Sequence, residues 1–421
     1  MNNRFSITSY VGFYFCFLCY VYLDYISIFF ISEGFRSSFN FFKFIESFIL
    51  VLVLGFLIPI TRVTVGSFFS TILFLFVFIP IAVLFSCADS SRYAFYSAFS
   101  PALFIMFCTN YLSNKNLNFT VPHIKKSYTM GIYLISSIIA LFIAKIIFSG
   151  SILNLNFDIS KVYDVREEQT GLLYDGVWGY LTNWSVKVFS ICAIILSLYR
   201  KKYYVFIMLI VLQFVFFGVT THKSTFFYAI MAVGTYFLSM RYDANIKIVK
   251  YSIVAITASF LLAVIFDNVI VGSFALRRAI FVPAYLHYVY FDFFTDNQFV
   301  YWSNSALSSF IDYPYHENTA RVIGSYLGKP SMAANNGFIA SGYMHAGLFG
   351  VAFYSFSLFL VLFFLDYFRK NLPVNVIVAF SVAPIISVLT SSDLVTSLLT
   401  HGLLIMLLFV YLLSSNPTGK N

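Results

Sequence analysis

Charged side chains are scarce in this sequence. Asp and Glu number 17 and Lys and Arg 26 among 421 residues, so that charged residues make up 10% of the chain. Soluble domains carry about 25%. A chain this poor in charge cannot cover itself with polar surface, because even large soluble domains leave much of their surface in water. Cysteine is equally uninformative for chemistry. Cys16, Cys19, Cys87, Cys108 and Cys192 all lie in apolar runs, with no metal-ligand spacing and no loop partner, so they read as small packing residues. Sharp catalytic signatures are missing too. There is no Walker lysine loop, no Rossmann glycine fingerprint, no His-Glu-x-x-His and no Gly-x-Ser-x-Gly. The first apolar run, from about Ile7 to Ile31, is too long for a cleavable signal peptide and reads as a retained span.

What is present is apolar. Hydrophobic residues make up 60%, Phe and Tyr number 54 and 31, and the mean hydropathy is +0.85. Lipid must be the solvent for most of this surface, and the aromatics suit membrane cores and interfacial belts. The expected fold is an all-α, polytopic helix bundle, a single transmembrane domain over 1–421. Apolar runs fall at about 7–31, 43–60, 67–87, 93–112, 128–149, 180–199, 203–219, 223–240, 250–270, 343–365, 373–390 and 398–414. Most have the length that crosses about 30 Å of hydrocarbon. About twelve transmembrane helices follow.

The net charge of +9 lies mostly in short loops between these runs, which argues for orientation bias and against nucleic acid as a partner. Arg4, Arg62, Lys115, Lys125, Lys126, Arg200, Lys201, Lys202, Arg241, Lys247, Lys250, Arg369, Lys370 and Lys420 fall in one set of alternate loops. By the positive-inside rule that set is cytoplasmic, with both termini. Arg36 and Arg92 lie on the opposite side. The opposite face then carries two long segments, 150–179 and 271–342. Long segments without a domain of their own are usually functional.

Three charges interrupt apolar runs: Asp24, Lys145 and Lys187. Intramembrane ionisable groups are functional candidates by default. The lysines are long enough to snorkel outward; Asp24 either pairs with one of them or acts directly. At 218–225 a short turn, Gly-Val-Thr-Thr-His-Lys-Ser-Thr, joins two apolar helices. His222 and Lys223 stand there at a helix N-terminus, which favours an anion; an ordinary solvated turn is the plainer alternative.

The segment 271–342 opens with Phe-Ala-Leu-Arg-Arg-Ala-Ile-Phe-Val-Pro at 274–283. Arg277 and Arg278 suit bidentate contact with phosphate. On a helix they point about 100° apart, so that one binds while the other packs; interface anchoring is the alternative. A belt of Tyr and Phe follows to Phe294, fit for sugar rings or lipid headgroups. Then come Asp-Tyr-Pro-Tyr-His-Glu-Asn-Thr-Ala-Arg at 312–321 and Ala-Ala-Asn-Asn-Gly-Phe at 333–338. His316 and Glu317 are candidates for acid–base work. Glu33 is the lone acid of the first outer loop, Ser32 to Phe42, and no Asp-x-Asp pair stands on that face. The chemistry expected is therefore free of metal and of any cofactor.

Several of these segments resemble the O-antigen polymerases, the oligosaccharide repeat-unit polymerases of bacterial inner membranes. The resemblance rests on Thr-Thr-His-Lys-Ser at 220–224, Leu-Arg-Arg-Ala-Ile-Phe-Val-Pro at 276–283, the aromatic stretch to Phe294, Ala-Asn-Asn-Gly-Phe-Ile-Ala-Ser-Gly-Tyr at 334–343, and Gly-Leu-Phe-Gly at 347–350 leading into a span. It covers roughly the C-terminal half. It implies a fold like that of the lipid-carrier membrane glycosyltransferases and a multi-pass place in the bacterial inner membrane. The implied activity is joining of undecaprenyl-pyrophosphate-linked repeat units on the periplasmic face, with lipid pyrophosphate as leaving group. The implied partners are that lipid-linked oligosaccharide, membrane lipid and a chain-length regulator protein. On this reading Arg277, Arg278, Arg321 and Lys223 hold the diphosphate, with Tyr313, Asn335 and Asn336 also on the substrate. His316, Glu317 or His222 serves as base. A lipid-linked oligosaccharide flippase and an O-antigen ligase remain alternatives; the flippase is expected to place cations inside its bundle instead of in one outer loop.

Overall fold

A computed structural model describes residues 2–60, 63–113, 126–157, 171–266, 269–369 and 372–414. The side chains of Asn2, Asn3 and Lys223 are outside that description, as are the loop cations Arg62, Lys115, Lys125, Lys370 and Lys420 and the stretch 158–170 of the first long segment.

Among the described residues the chain is helical, and its one isolated bridge joins Ser38 to Ala88. Among the described residues nine helices are long and apolar enough to cross a membrane: Arg4–Phe29, Val65–Cys87, Ser127–Phe148, Val177–Tyr199, Tyr203–Thr220, Ala244–Ile265, Val269–Asp296, Phe338–Phe368 and Leu394–Ser414. The protein is a polytopic helical membrane protein. Eight of these helices overlie expected runs. Four other runs form helices that are shorter or less apolar: Phe41–Phe56, Arg92–Ser113, Ser224–Ser239 and Val374–Thr390.

The ninth helix departs from expectation. Val269–Asp296 occupies the start of the segment read as an outer loop. Two adjacent arginines interrupt its hydropathy, yet Arg277 turns inward to an acid partner and the helix continues past it. Gly272 makes this path possible, since a Cβ there would collide with the ring of Tyr25. Irregular structure on the far side of this helix is confined to 297–318 and 327–337.

Two of the nine helices are broken. Within Phe338–Phe368, Ala346 and Gly347 have non-helical backbones (φ −153°, ψ 35° and φ 59°, ψ −142°). The chain doubles back there: a Cβ on Gly342 would lie 2.7 Å from the Gly350 carbonyl oxygen, and a Cβ on Gly350 would run into that of Gly342. Such backbone-to-backbone approach requires residues without side chains. In the last span, Leu394–Leu399 and Leu403–Ser414 are separated at Thr400–Gly402, where Gly402 takes φ 77°.

The chain packs as two compact units. One comprises Met1–Leu117, Tyr242–Leu362 and Val388–Leu394; the other comprises Asn118–Arg241, Phe363–Ser387 and Val395–Asn421. In the first, Val65–Cys87 is the central helix, with 94% of its apolar window buried. Its start is fixed by a capping box in which Thr64 and Ser67 satisfy each other's backbone amides. Around it pack Phe41–Phe56, Arg92–Ser113 and Val282–Asp296. In the second, Val177–Tyr199 is central, packed by Ser127–Phe148, Tyr203–Thr220 and Lys223–Ser239.

Candidate functional site

In the first unit a buried polar network supports the irregular segment after Asp296. Val300 and Tyr301 donate backbone N–H bonds to the carbonyls of Met344 and His345, both 3.0 Å. The next amide, Trp302, donates to Nδ1 of His345 at 3.1 Å. That bond fixes the tautomer: Nδ1 is an acceptor, so Nε2 carries the proton and donates to Oδ1 of Asp393 at 3.1 Å. Tyr354 donates its hydroxyl to the same oxygen at 2.8 Å and receives the indole N–H of Trp302 at 2.8 Å. The Trp302 ring stacks on the imidazole, with centroids 5.0 Å apart and planes 12° from parallel. Tyr301 and Trp302 adopt left-handed backbone conformations (φ 48° and 58°), uncommon for bulky residues. Closed networks of this kind rigidify what they hold. Here they tie the start of the loop to the break at Ala346 and to Asp393.

None of these four residues was singled out by sequence. His345 and Asp393 are 48 positions apart, the first inside an apolar run and the second between two. The available signals were weak: a histidine two residues before a glycine in an apolar run, and a single acid between two apolar stretches.

The rest of the loop is pinned by tyrosines. Tyr313 donates to the Glu317 carbonyl at 2.8 Å and lies 3.0 Å from the Thr319 hydroxyl; burial pushes its phenol above the ordinary tyrosine value. Tyr315 donates to the Gln298 carbonyl. Asn318 caps the helix Thr319–Tyr326 by accepting the Arg321 amide at 3.0 Å. The side chains of His316, Glu317 and Arg321 are left exposed over six residues, and none of them forms an ion pair among the described residues. All three candidate side chains are thus open to the surroundings of the loop, with Tyr313 acting as a strut more than as a surface.

The expected diphosphate residues divide. Arg277 is buried, ion-paired with Glu33, bonded to the Ser273 hydroxyl at 2.7 Å and placed 4.8 Å over the Phe30 ring. Its charge is matched within the protein, so it packs. Arg278, one residue on, is exposed, its guanidinium 5.2 Å over the Phe274 ring. Asn335 is exposed and Asn336 buried. Asn336 accepts the Gly337 amide at 2.7 Å, its own side-chain amide is unpartnered, and it lines a small cavity with His287. Gly337 there admits no Cβ, because the Leu389 carbonyl stands in the way.

His222 and Lys223 belong to the other unit. His222 precedes the helix Lys223–Ser239, its ring edge-on to Tyr174 at 5.9 Å. The turn is braced by Gln213, which donates to the Thr225 and Val186 carbonyls at 2.8 and 3.2 Å. The expected role of Lys223 falls on a side chain outside the described residues.

The intramembrane charges find partners inside their own units. Asp24 bonds the Tyr20 hydroxyl, Lys145 lies 4.8 Å over the Trp178 ring, and Lys187 is 2.7 Å from Nδ1 of His401. Compared with protein-family models, with curated proteins and with solved structures, the chain matches none of them.

Proposed function

We propose that this protein is a membrane glycosyltransferase that polymerises undecaprenyl-pyrophosphate-linked O-antigen repeat units on the periplasmic face of the bacterial inner membrane. The observation that carries the proposal is the tyrosine-pinned loop 312–321, which exposes His316, Glu317 and Arg321 within six residues of one another in the chain. A lipid diphosphate leaving group needs cations where negative charge develops, and an acceptor hydroxyl gains from a positioned base. Arg278 and Arg321 are the exposed guanidiniums for the first role; Arg277, matched by Glu33, supports the helix. His316 or Glu317 takes the second. The resemblance of the C-terminal segments to the polymerase family points the same way. The transporter alternative draws on one observation, the Lys187 amine inside an apolar helix.

The test is O-chain length in cells carrying single variants, with membrane levels measured by immunoblot. Removal of an electrostatic stabiliser costs roughly 3–4 kcal/mol in comparable sites, a hundred- to a thousand-fold in turnover. Arg278→Ala or Arg321→Ala is expected to shorten chains severely at normal protein level, with partial rescue by Lys. Loss of the base, in His316→Ala or Glu317→Ala, is expected to slow turnover about a hundred-fold or more. Arg277→Ala is expected to lower protein level instead. Full-length chains in all four exposed-residue variants would remove this loop from the chemistry.

A further inference from the structure

The second unit holds a lysine inside an apolar helix that none of its described acids pairs with. Lys187 lies in the apolar helix Val177–Tyr199, on a π-helical turn over Ser185–Phe189, a distortion often found at functional sites. Its amine is 2.7 Å from Nδ1 of His401 and 6.0 Å from the Tyr228 ring. The amine donates to the imidazole nitrogen, and in its ordinary protonated form it places one positive charge in the apolar helix. The described acids of this unit are Asp175 and Asp366; Asp366 pairs with Arg369 at 3.7 Å. Among the described residues no carboxylate lies within ion-pair distance of Lys187.

His401 stands in the break between Leu394–Leu399 and Leu403–Ser414. The break is held against the π-helical turn: the Trp184 indole donates to the Leu399 carbonyl at 2.7 Å, and a Cβ on Gly402 would lie 2.8 Å from the Val188 side chain. The amides of Thr400, His401 and Gly402 bond back to Thr396 and Leu399, and the first bond of the following helix is Met406 to Gly402, 2.8 Å, which leaves the amides of Leu403, Leu404 and Ile405 as the unbonded start of that helix. On the same two segments Ser185 and Ser397 are fully buried with unpartnered hydroxyls. Donors and a cation are therefore concentrated where no described acid pairs with them. An isolated charge in the apolar region costs on the order of 3 kcal/mol on insertion scales, and an anion at that position offsets the cost.

We propose that Lys187 and His401, with the amides at the start of Leu403–Ser414, bind an oxyanion of the phosphate class within the apolar part of the protein. Phosphate fits better than a halide because several donors on different segments are offered to one multi-acceptor group. The phosphate is that of a lipid headgroup or a free ion. The site is independent of the loop chemistry proposed above.

The full chain, purified into phosphatidylcholine nanodiscs, separates these sources. Polyprenyl monophosphate binding is read by native mass spectrometry and inorganic phosphate binding by equilibrium dialysis. Lys187→Met is expected to weaken binding at least ten-fold, His401→Gln to weaken it less, and Lys187→Arg to retain it. An effect on the polyprenyl phosphate alone assigns a lipid headgroup; an effect on inorganic phosphate assigns the free ion. Binding of neither probe by the unaltered protein overturns the proposal, as does unchanged binding by Lys187→Met. Should Lys187→Met fail to accumulate, Lys187→Gln and His401→Gln carry the same comparison.

Discussion

Each unit of this protein contains a histidine at a broken helix, and the two are treated oppositely. In the first, His345 is closed in by an acid, a tyrosine and a tryptophan, and its tautomer is fixed by a backbone amide. In the second, His401 meets an amine, and no described acid joins them. A histidine at a break therefore has no single meaning. Bonded to Asp393, it is a support whose removal leaves other polar groups unpaired. Bonded to Lys187, it helps hold a charge that calls for something else to balance it.

This contrast is most sharply broken at Asp393. Asp393→Ala removes the acceptor of two hydrogen bonds and leaves the Nε2–H of His345 and the hydroxyl proton of Tyr354 without that acceptor. Bonds to a charged acceptor contribute about 1.5–3 kcal/mol each, so a loss of about 3–5 kcal/mol is expected, read as unfolding in mixed detergent micelles. A loss under 1 kcal/mol would mean that the network does not hold the loop.

Lys187→Met should do the reverse. Replacing buried charged groups by apolar side chains of similar volume is often neutral or stabilising. The same unfolding measurement is expected to give equal or higher stability in the absence of added phosphate. A large destabilisation would show that Lys187 is part of the packing and would collapse the comparison.

The smallest effect belongs to a charge balanced at the surface. Lys43 lies 2.8 Å from Asp89, and the Lys43 hydrogen bond, with that of Asn40, holds the Asp89 carboxyl below the ordinary range. A depressed folded-state value contributes stability above the unfolded value, about 3.9, and the contribution is lost as pH falls through the folded one. Asp89→Asn is expected to remove a slight acid-side decline in stability that begins below about pH 4 and to change little at pH 7. An unchanged decline in the variant would assign it to other groups.

Part of the candidate site was legible in advance. His316, Glu317 and Arg321 are close in sequence, and a short polar stretch between apolar runs exposes its side chains almost wherever it folds. Arg277 and Arg278 were legible as a pair but not as individuals. Helical geometry turns them apart, and which one faces inward depends on Glu33, 244 positions earlier. Asn336 reads as a polar loop residue and is buried, because Gly337 lets the chain lie against the Leu389 carbonyl.

Composition alone determined that this chain is a helical membrane protein, and run length placed most of its spans. Both follow from local physics: each backbone amide in lipid must be satisfied within its own segment, and apolar length is written in consecutive residues. Tertiary structure decided which helices break, which cations are matched and which histidine meets an acid. Those outcomes depend on partners such as His345 with Asp393, 48 residues apart, and Lys187 with His401, 214 apart. A charge in a low-dielectric interior is governed by its nearest partner, and nothing local in the sequence states which residue that will be.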